Sequence, residues 1–165
     1  MTGRWMHVRG TVAQLDVLHP TSQRDSLPRR VLPGAYRLDA LAVPIWVDHG
    51  DQRGAVGWVT RLWEARGFVC IEGILTSEQF AFGVATGERS ALSIGTARRV
   101  HHAGHDTIAA DIAEVSLVAA GSDPTARVRE HWWIDHDDGE HVRAASVAVV
   151  AEMRLALGLM KENAA

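Results

Sequence analysis

Residues 54–75 read GAVGWVTRLWEARGFVCIEGIL. Two runs rich in β-branched and aromatic residues flank a turn signal near Glu64–Gly67, which is the pattern of a β-hairpin. The lone cysteine of the chain, Cys70, lies in the second run, in a setting that reads as a buried strand. One cysteine cannot form an internal disulfide, so the natural expectation is a reducing, intracellular compartment.

Working outward from the hairpin, 76–87 (TSEQFAFGVATG) changes character. Thr76 followed three residues later by Gln79 is a capping-box pattern, and Gly87 is a stop signal, so a helix of about ten residues is expected. Residues 90–100 (SALSIGTARRV) form a strand, 101–106 (HHAGHD) a turn, 107–120 (TIAADIAEVSLVAA) a strand and 121–128 (GSDPTARV) a loop. Upstream, 40–50 (ALAVPIWVDHG) is a short apolar run that ends in the turn signal Asp48-His49-Gly50. Residues 19–38 hold Pro20, Pro28 and Pro33 among several charges and read as a long exposed loop. The segment 5–17 alternates weakly, as a strand does.

The last third differs again. Residues 131–141 (HWWIDHDDGEH) are polar and aromatic and read as a linker. Beyond them Val142, Ser146, Val149, Met153, Leu157 and Met160 recur at helical spacing, which marks an amphipathic helix. The expected architecture is therefore mostly β with peripheral helices: a small barrel over 1–130, then a linker and C-terminal helix over 131–165.

Bulk properties exclude some functions. With 165 residues, a formal net charge of -3 and a pI near 6.3, the chain has no global attraction for nucleic acid or anionic membranes. The N-terminal residues lack a signal-peptide core, and no apolar run reaches the roughly 18 residues of a membrane span. Nine histidines raise the question of metal binding. His101, His102 and His105 share one turn, but they lack a cysteine partner and ligand spacing, so no metal is assigned to them. His131, His136 and His141 straddle Asp135, Asp137, Asp138 and Glu140, whose spacing does not fit a calcium loop. No cofactor is implied.

Three residues carry a sharper possibility, each beside a plainer one. In ALSIG, Leu92 and Ile94 share one face of the strand, and Ser93 and Gly95 the other. Ser93 is an ordinary strand serine, or a nucleophile beside a residue that leaves room for a substrate backbone. His49 is a turn histidine, or a base presented from a rigid strand end. In DIAEVSLV, Ala113, Val115 and Leu117 share a face opposite Glu114 and Ser116. Glu114 is a surface acid, or a carboxylate that orients an imidazole.

The order of these segments resembles that of the prohead (capsid maturation) serine proteases of tailed phages, a family distantly related in fold to the herpesvirus assemblins. The resemblance spans about Val43 to Val128, roughly half the chain. It runs through VPIWVDHG, the 54–75 hairpin, GERSALSIGTARRV and DIAEVSLVAAGSDPTARV. It implies Ser93 as nucleophile, His49 as general base and Glu114 as third member, where assemblins have a histidine. It also implies a compact, largely antiparallel β-barrel with helices around it, of a kind often dimeric in the herpesvirus relatives, so that a homodimer is one expectation. Capsid and scaffold proteins are the implied substrates, and the implied place is inside the assembling prohead in the host cytoplasm. Two departures stand out. The loop after the last motif reads AAGSDP rather than the more common Pro-Ala-Asn-Pro, and Ser122 and Asp123 stand where assemblins carry arginines, which leaves the oxyanion donors unassigned. A non-catalytic capsid-assembly barrel and a histidine-based metal hydrolase are the alternatives.

Overall fold

In a computed structural model, the described residues are 4–19, 28–39, 43–50, 54–102 and 105–134. They form nine strands and one helix: β1 (Trp5–Gln14), β2 (Arg30–Val31), β3 (Tyr36–Arg37), β4 (Pro44–Val47), β5 (Gly57–Ala65), β6 (Phe68–Leu75), α1 (Glu78–Ala85), β7 (Ala91–His102), β8 (Asp106–Val118) and β9 (Arg127–Ile134). Strand pairing runs β8-β4-β5-β6-β1-β9-β7 and returns to β8, so seven strands close into a barrel. Every junction is antiparallel except β4–β8, which is parallel. That one parallel seam brings the end of β4, and with it His49, to the C-terminal half of β8.

Period-two alternation builds the interior. Met6, Val8, Ile45, Val59, Val69, Ile71, Leu75, Leu92, Val115 and Leu117 point inward and are buried, while their neighbours along each strand face out. The β5–β6 hairpin forms as expected, with Arg66 and Gly67 both at positive φ in its turn. Gly10 serves the β1–β9 seam, because any Cβ there would strike the backbone carbonyl of Arg127. No helix among the described residues is long and apolar enough to cross a membrane.

Four local expectations change. The capping box does not form: Ser77 is the N-cap without a side-chain bond. Thr76 instead directs its N–H (2.9 Å) and hydroxyl (3.4 Å) to the Val56 carbonyl, extending the hairpin end. Gly87 closes the helix at φ 79, its N–H bonded to the Val84 carbonyl at 3.0 Å.

The stretch expected as a free loop, 19–38, contributes β2 and β3, both parallel to β8. β8 has 13 residues and β4 pairs only near its C-terminal end, which leaves backbone groups to be satisfied farther back. Arg30 N–H to the His105 carbonyl (3.0 Å), Leu32 N–H to Thr107 (3.1 Å) and Ala110 N–H to Ala35 (2.8 Å) satisfy them. The turn expected at 101–106 is shorter, since β7 runs on to His102 and β8 begins at Asp106. Finally, β9 begins inside the expected loop 121–128 and continues through 131–134, where Trp133 packs against the core and Ile134 pairs with Trp5. Aromatic and β-branched residues there favour a half-buried pleat over a solvated linker. The amphipathic stretch from Val142, with His136, His141 and the acids between them, lies outside the described residues.

Candidate active site

The site is built around β8. Ser116 lies directly across from Ser93 on β7, and Glu114 directly across from Gly95. Cross-strand partners share a face, so these four residues occupy one outward patch, opposite the core-facing Leu92, Ile94, Val115 and Leu117. An outward carboxylate would ordinarily be solvated. Here Glu114 is only 4% exposed and Ser116 0%.

The cover is the turn that ends β4. Asp48 and His49 both adopt positive φ (53° and 57°), and Gly50 N–H returns to the Val47 carbonyl at 3.0 Å, the pattern of a type I′ turn. Two successive left-handed residues without glycine cost free energy, although Asp and His tolerate this region better than most. The surroundings hold them there. Asp48 N–H bonds the Leu117 carbonyl (3.1 Å), His49 N–H bonds Ser116 Oγ (3.1 Å), and the Asp48 carboxylate receives Arg89 Nη1 at 2.8 Å to each oxygen. The turn thus folds over β8 and is tied to the segment that leads into β7.

His49 Nδ1 lies 2.6 Å from Glu114 Oε1, and Ser116 Oγ donates to Glu114 Oε2 at 2.6 Å. Against an ionised carboxylate, which only accepts, Nδ1 is the donor, and a neutral ring then has its lone pair on Nε2. The ring keeps 29% of its surface exposed and borders an open cavity with Trp46, Gly95, Thr96 and Ala97. A ring held this way can act as a base through Nε2.

The structure therefore joins His49 to Glu114 and puts Ser93 on their face, one strand away. It does not join Ser93 to the imidazole by a hydrogen bond among the described residues. Ser93 is half-buried and lines a neighbouring cavity with Tyr36, Ser122 and Asp123, and Ile94 and Arg99 border both cavities. Burial, with Asp123 nearby, pushes the Tyr36 phenol above its ordinary pKa against the opposing pull of Arg99. Asp123 braces its own loop by accepting from Gln14 N–H (3.0 Å) and from Thr125 N–H and hydroxyl (2.8 and 2.6 Å).

Gly95 requires a correction. A Cβ at this position would collide with the Glu114 carboxylate. The space that the sequence suggested for a substrate backbone is already filled by the third member of the proposed set. Sequence reasoning placed Ser116 on the correct face but gave it no role. Nothing in the sequence pointed to the Arg89–Asp48 pair, whose members stand 41 positions apart.

Elsewhere, His101 Nδ1 lies 3.3 Å from the Thr107 hydroxyl and His105 Nδ1 3.1 Å from the Pro28 carbonyl. No group of three His, Cys, Asp or Glu among the described residues is arranged to hold a metal ion. Cys70 is a free thiol, half-buried on β6, with its pKa raised by that burial.

No family model matches the chain, and no curated protein does. Among solved structures, the chain is similar to the varicella-zoster virus protease, with a TM-score of 0.46 and 15% identity over 77% of this chain. It spans only 64% of that protease's length. It is also similar to Kaposi's sarcoma herpesvirus protease bound to a hexapeptide phosphonate inhibitor (TM-score 0.49, 16% identity, 90% of this chain and 77% of that one). A further structure of that protease, with a dimer disruptor, gives 0.48 and 16% over 88% and 89%. These are similarities of overall shape at low identity.

Proposed function

We propose that this chain is a serine endopeptidase that processes capsid or scaffold protein during maturation of a phage prohead. The observation that carries the chemistry is the 2.6 Å bond between His49 Nδ1 and buried Glu114, on the face that also bears Ser93. His49 Nε2 takes the Ser93 hydroxyl proton as Oγ attacks the peptide carbonyl, then returns it to the leaving amine. Glu114 holds the tautomer and stabilises the imidazolium. Catalytic hydrogen bonds tighten when substrate binds, and closing the gap between Ser93 and His49 belongs to that step.

A second observation favours a peptide as substrate. β7 pairs with β9 only at Ala91–Arg127, and beyond Leu92 no described strand pairs with its edge away from β8. An open edge of this kind is a template for an extended chain. The capsid substrate, the phage setting, the homodimer and the prohead location rest on the order of motifs noted above.

The test is co-expression with the candidate capsid protein, wild type against Ser93→Ala, read by mass spectrometry of the products. The variant should fold and lose on the order of 10⁶-fold in turnover, the cost of removing a nucleophile of this type. Cleavage that persists in the variant overturns the assignment. The missing Ser93–His49 bond favours one rival, a barrel that serves capsid assembly without catalysis. Failure of a fluorophosphonate probe to label Ser93 would select it.

A further inference from the structure

We propose that Ser116 is a positioning residue, the hydroxyl that locks the base and its carboxylate into one arrangement. The inference rests on the peptidase reading for its consequence, but its geometry stands alone. Ser116 is completely buried. Its Oγ accepts from His49 N–H at 3.1 Å and donates to Glu114 Oε2 at 2.6 Å. Glu114 closes the ring by accepting from His49 Nδ1 through its other oxygen. Backbone N–H, serine hydroxyl, carboxylate and imidazole thus form one cycle that begins and ends on residue 49.

Hydrogen-bond direction makes the cycle specific. A serine hydroxyl has one proton, and here a carboxylate that can only accept receives it. The remaining lone pairs face the His49 N–H. The hydroxyl therefore has one orientation, and it fixes which carboxylate oxygen is left for Nδ1. Without it, a buried carboxylate oxygen and a backbone N–H of a left-handed turn residue would both lose a partner. Both losses fall on groups that aim the imidazole.

The cycle also separates two serines that face each other across the same strand pair. Ser93 is half-buried beside a cavity and has no such bond, whereas the Ser116 proton is committed to Glu114 and no solvent reaches it. Only Ser93 is placed to react.

The experiment compares wild type, Ser116→Ala and Ser116→Thr by ¹⁵N-imidazole NMR and by the rate of fluorophosphonate labelling, with adducts mapped by mass spectrometry. In wild type, His49 should show the Nδ1–H tautomer with a slowly exchanging ring proton, and the adduct should map to Ser93. In Ser116→Ala that proton signal should broaden or vanish. Labelling should slow on the order of 10- to 100-fold, as when the outer partner of a metal-bound imidazole is removed. Ser116→Thr, which keeps the hydroxyl, should restore both. Should the alanine variant not fold, Ser116→Cys, which fills the site with a slightly larger atom and only a weak donor, is expected to lose the signal likewise. An unchanged imidazole spectrum in a folded variant without the hydroxyl overturns the proposal. An unlabelled wild type overturns the peptidase reading, and the spectrum, which needs no substrate, still decides on Ser116.

Discussion

The two ends of β8 each hold a carboxylate against a neighbouring element. At the start of the strand, Asp106 receives Arg30 Nε and Nη2 at 2.9 and 2.8 Å, a two-pronged bond to a permanent cation carried by β2. Near the other end, Glu114 receives an imidazole and a hydroxyl at 2.6 Å each, from the β4 turn and from its own strand. The side chain of Asp106 is 18% exposed and that of Glu114 5%. In both places a parallel partner strand delivers the donor. The difference lies in what the donor can do next. Arg30 is always charged, so its pair holds the strand and nothing more. The imidazole can take a second proton on Nε2, and the buried carboxylate then faces a cation. One end of β8 is a clasp, and under the proposed function the other would move a proton.

The largest effect expected from breaking this contrast is at Glu114. Glu114→Gln replaces an acceptor-only group with an amide whose NH₂ can face the ring and favour the wrong tautomer. The loss in kcat/KM should approach the ~10⁴-fold seen when the carboxylate of a serine triad becomes an amide. A loss of under about tenfold in steady-state assays would remove Glu114 from the mechanism.

Gly95→Ala comes next. Its methyl group must displace the carboxylate without removing it. Overpacking of this kind costs about 1–3 kcal/mol, so the urea midpoint should fall together with activity. If the variant keeps wild-type kcat/KM, the carboxylate position does not matter for catalysis.

The smallest effect belongs to the clasp. The Arg30 hydrogen bond, more than its charge alone, holds the Asp106 carboxyl below its ordinary pKa. A folded-state pKa below the unfolded value of about 4 contributes stability that is present above that value. This contribution is lost as pH falls below about 4 through the folded value. Arg30→Ala should therefore flatten the acid limb of the stability–pH curve, with kcat/KM unchanged near neutrality. Urea denaturation at a series of pH values measures the first, and a peptidase assay the second.

Much of this contrast is legible in the sequence. Alternation in ALSIG and DIAEVSLV placed Ser93, Gly95, Glu114 and Ser116 on the face away from Leu92, Ile94, Val115 and Leu117, and antiparallel pairing kept them there. The Asp-His-Gly sequence marked a turn because few residues accept positive φ. The clasp was not legible, because Arg30 lay in a stretch read as loop and its partner is 76 positions away. The strand at 131–134 was hidden for a related reason. The polar residues that follow it in sequence, 135–141, make the whole stretch read as a linker until β1 supplies a partner for 131–134.

What the amino-acid order determined by itself is period and conformation: which residues share a face, where the chain can turn left-handed, and where a helix stops. These depend on neighbours a few positions away. What only the tertiary structure decided is environment. An outward glutamate became nearly inaccessible because a turn from another strand closed over it, and a glycine that promised open space turned out to make room for that glutamate. Burial and hydrogen-bond partnership come from segments brought together by barrel closure, and no local pattern specifies which segment arrives.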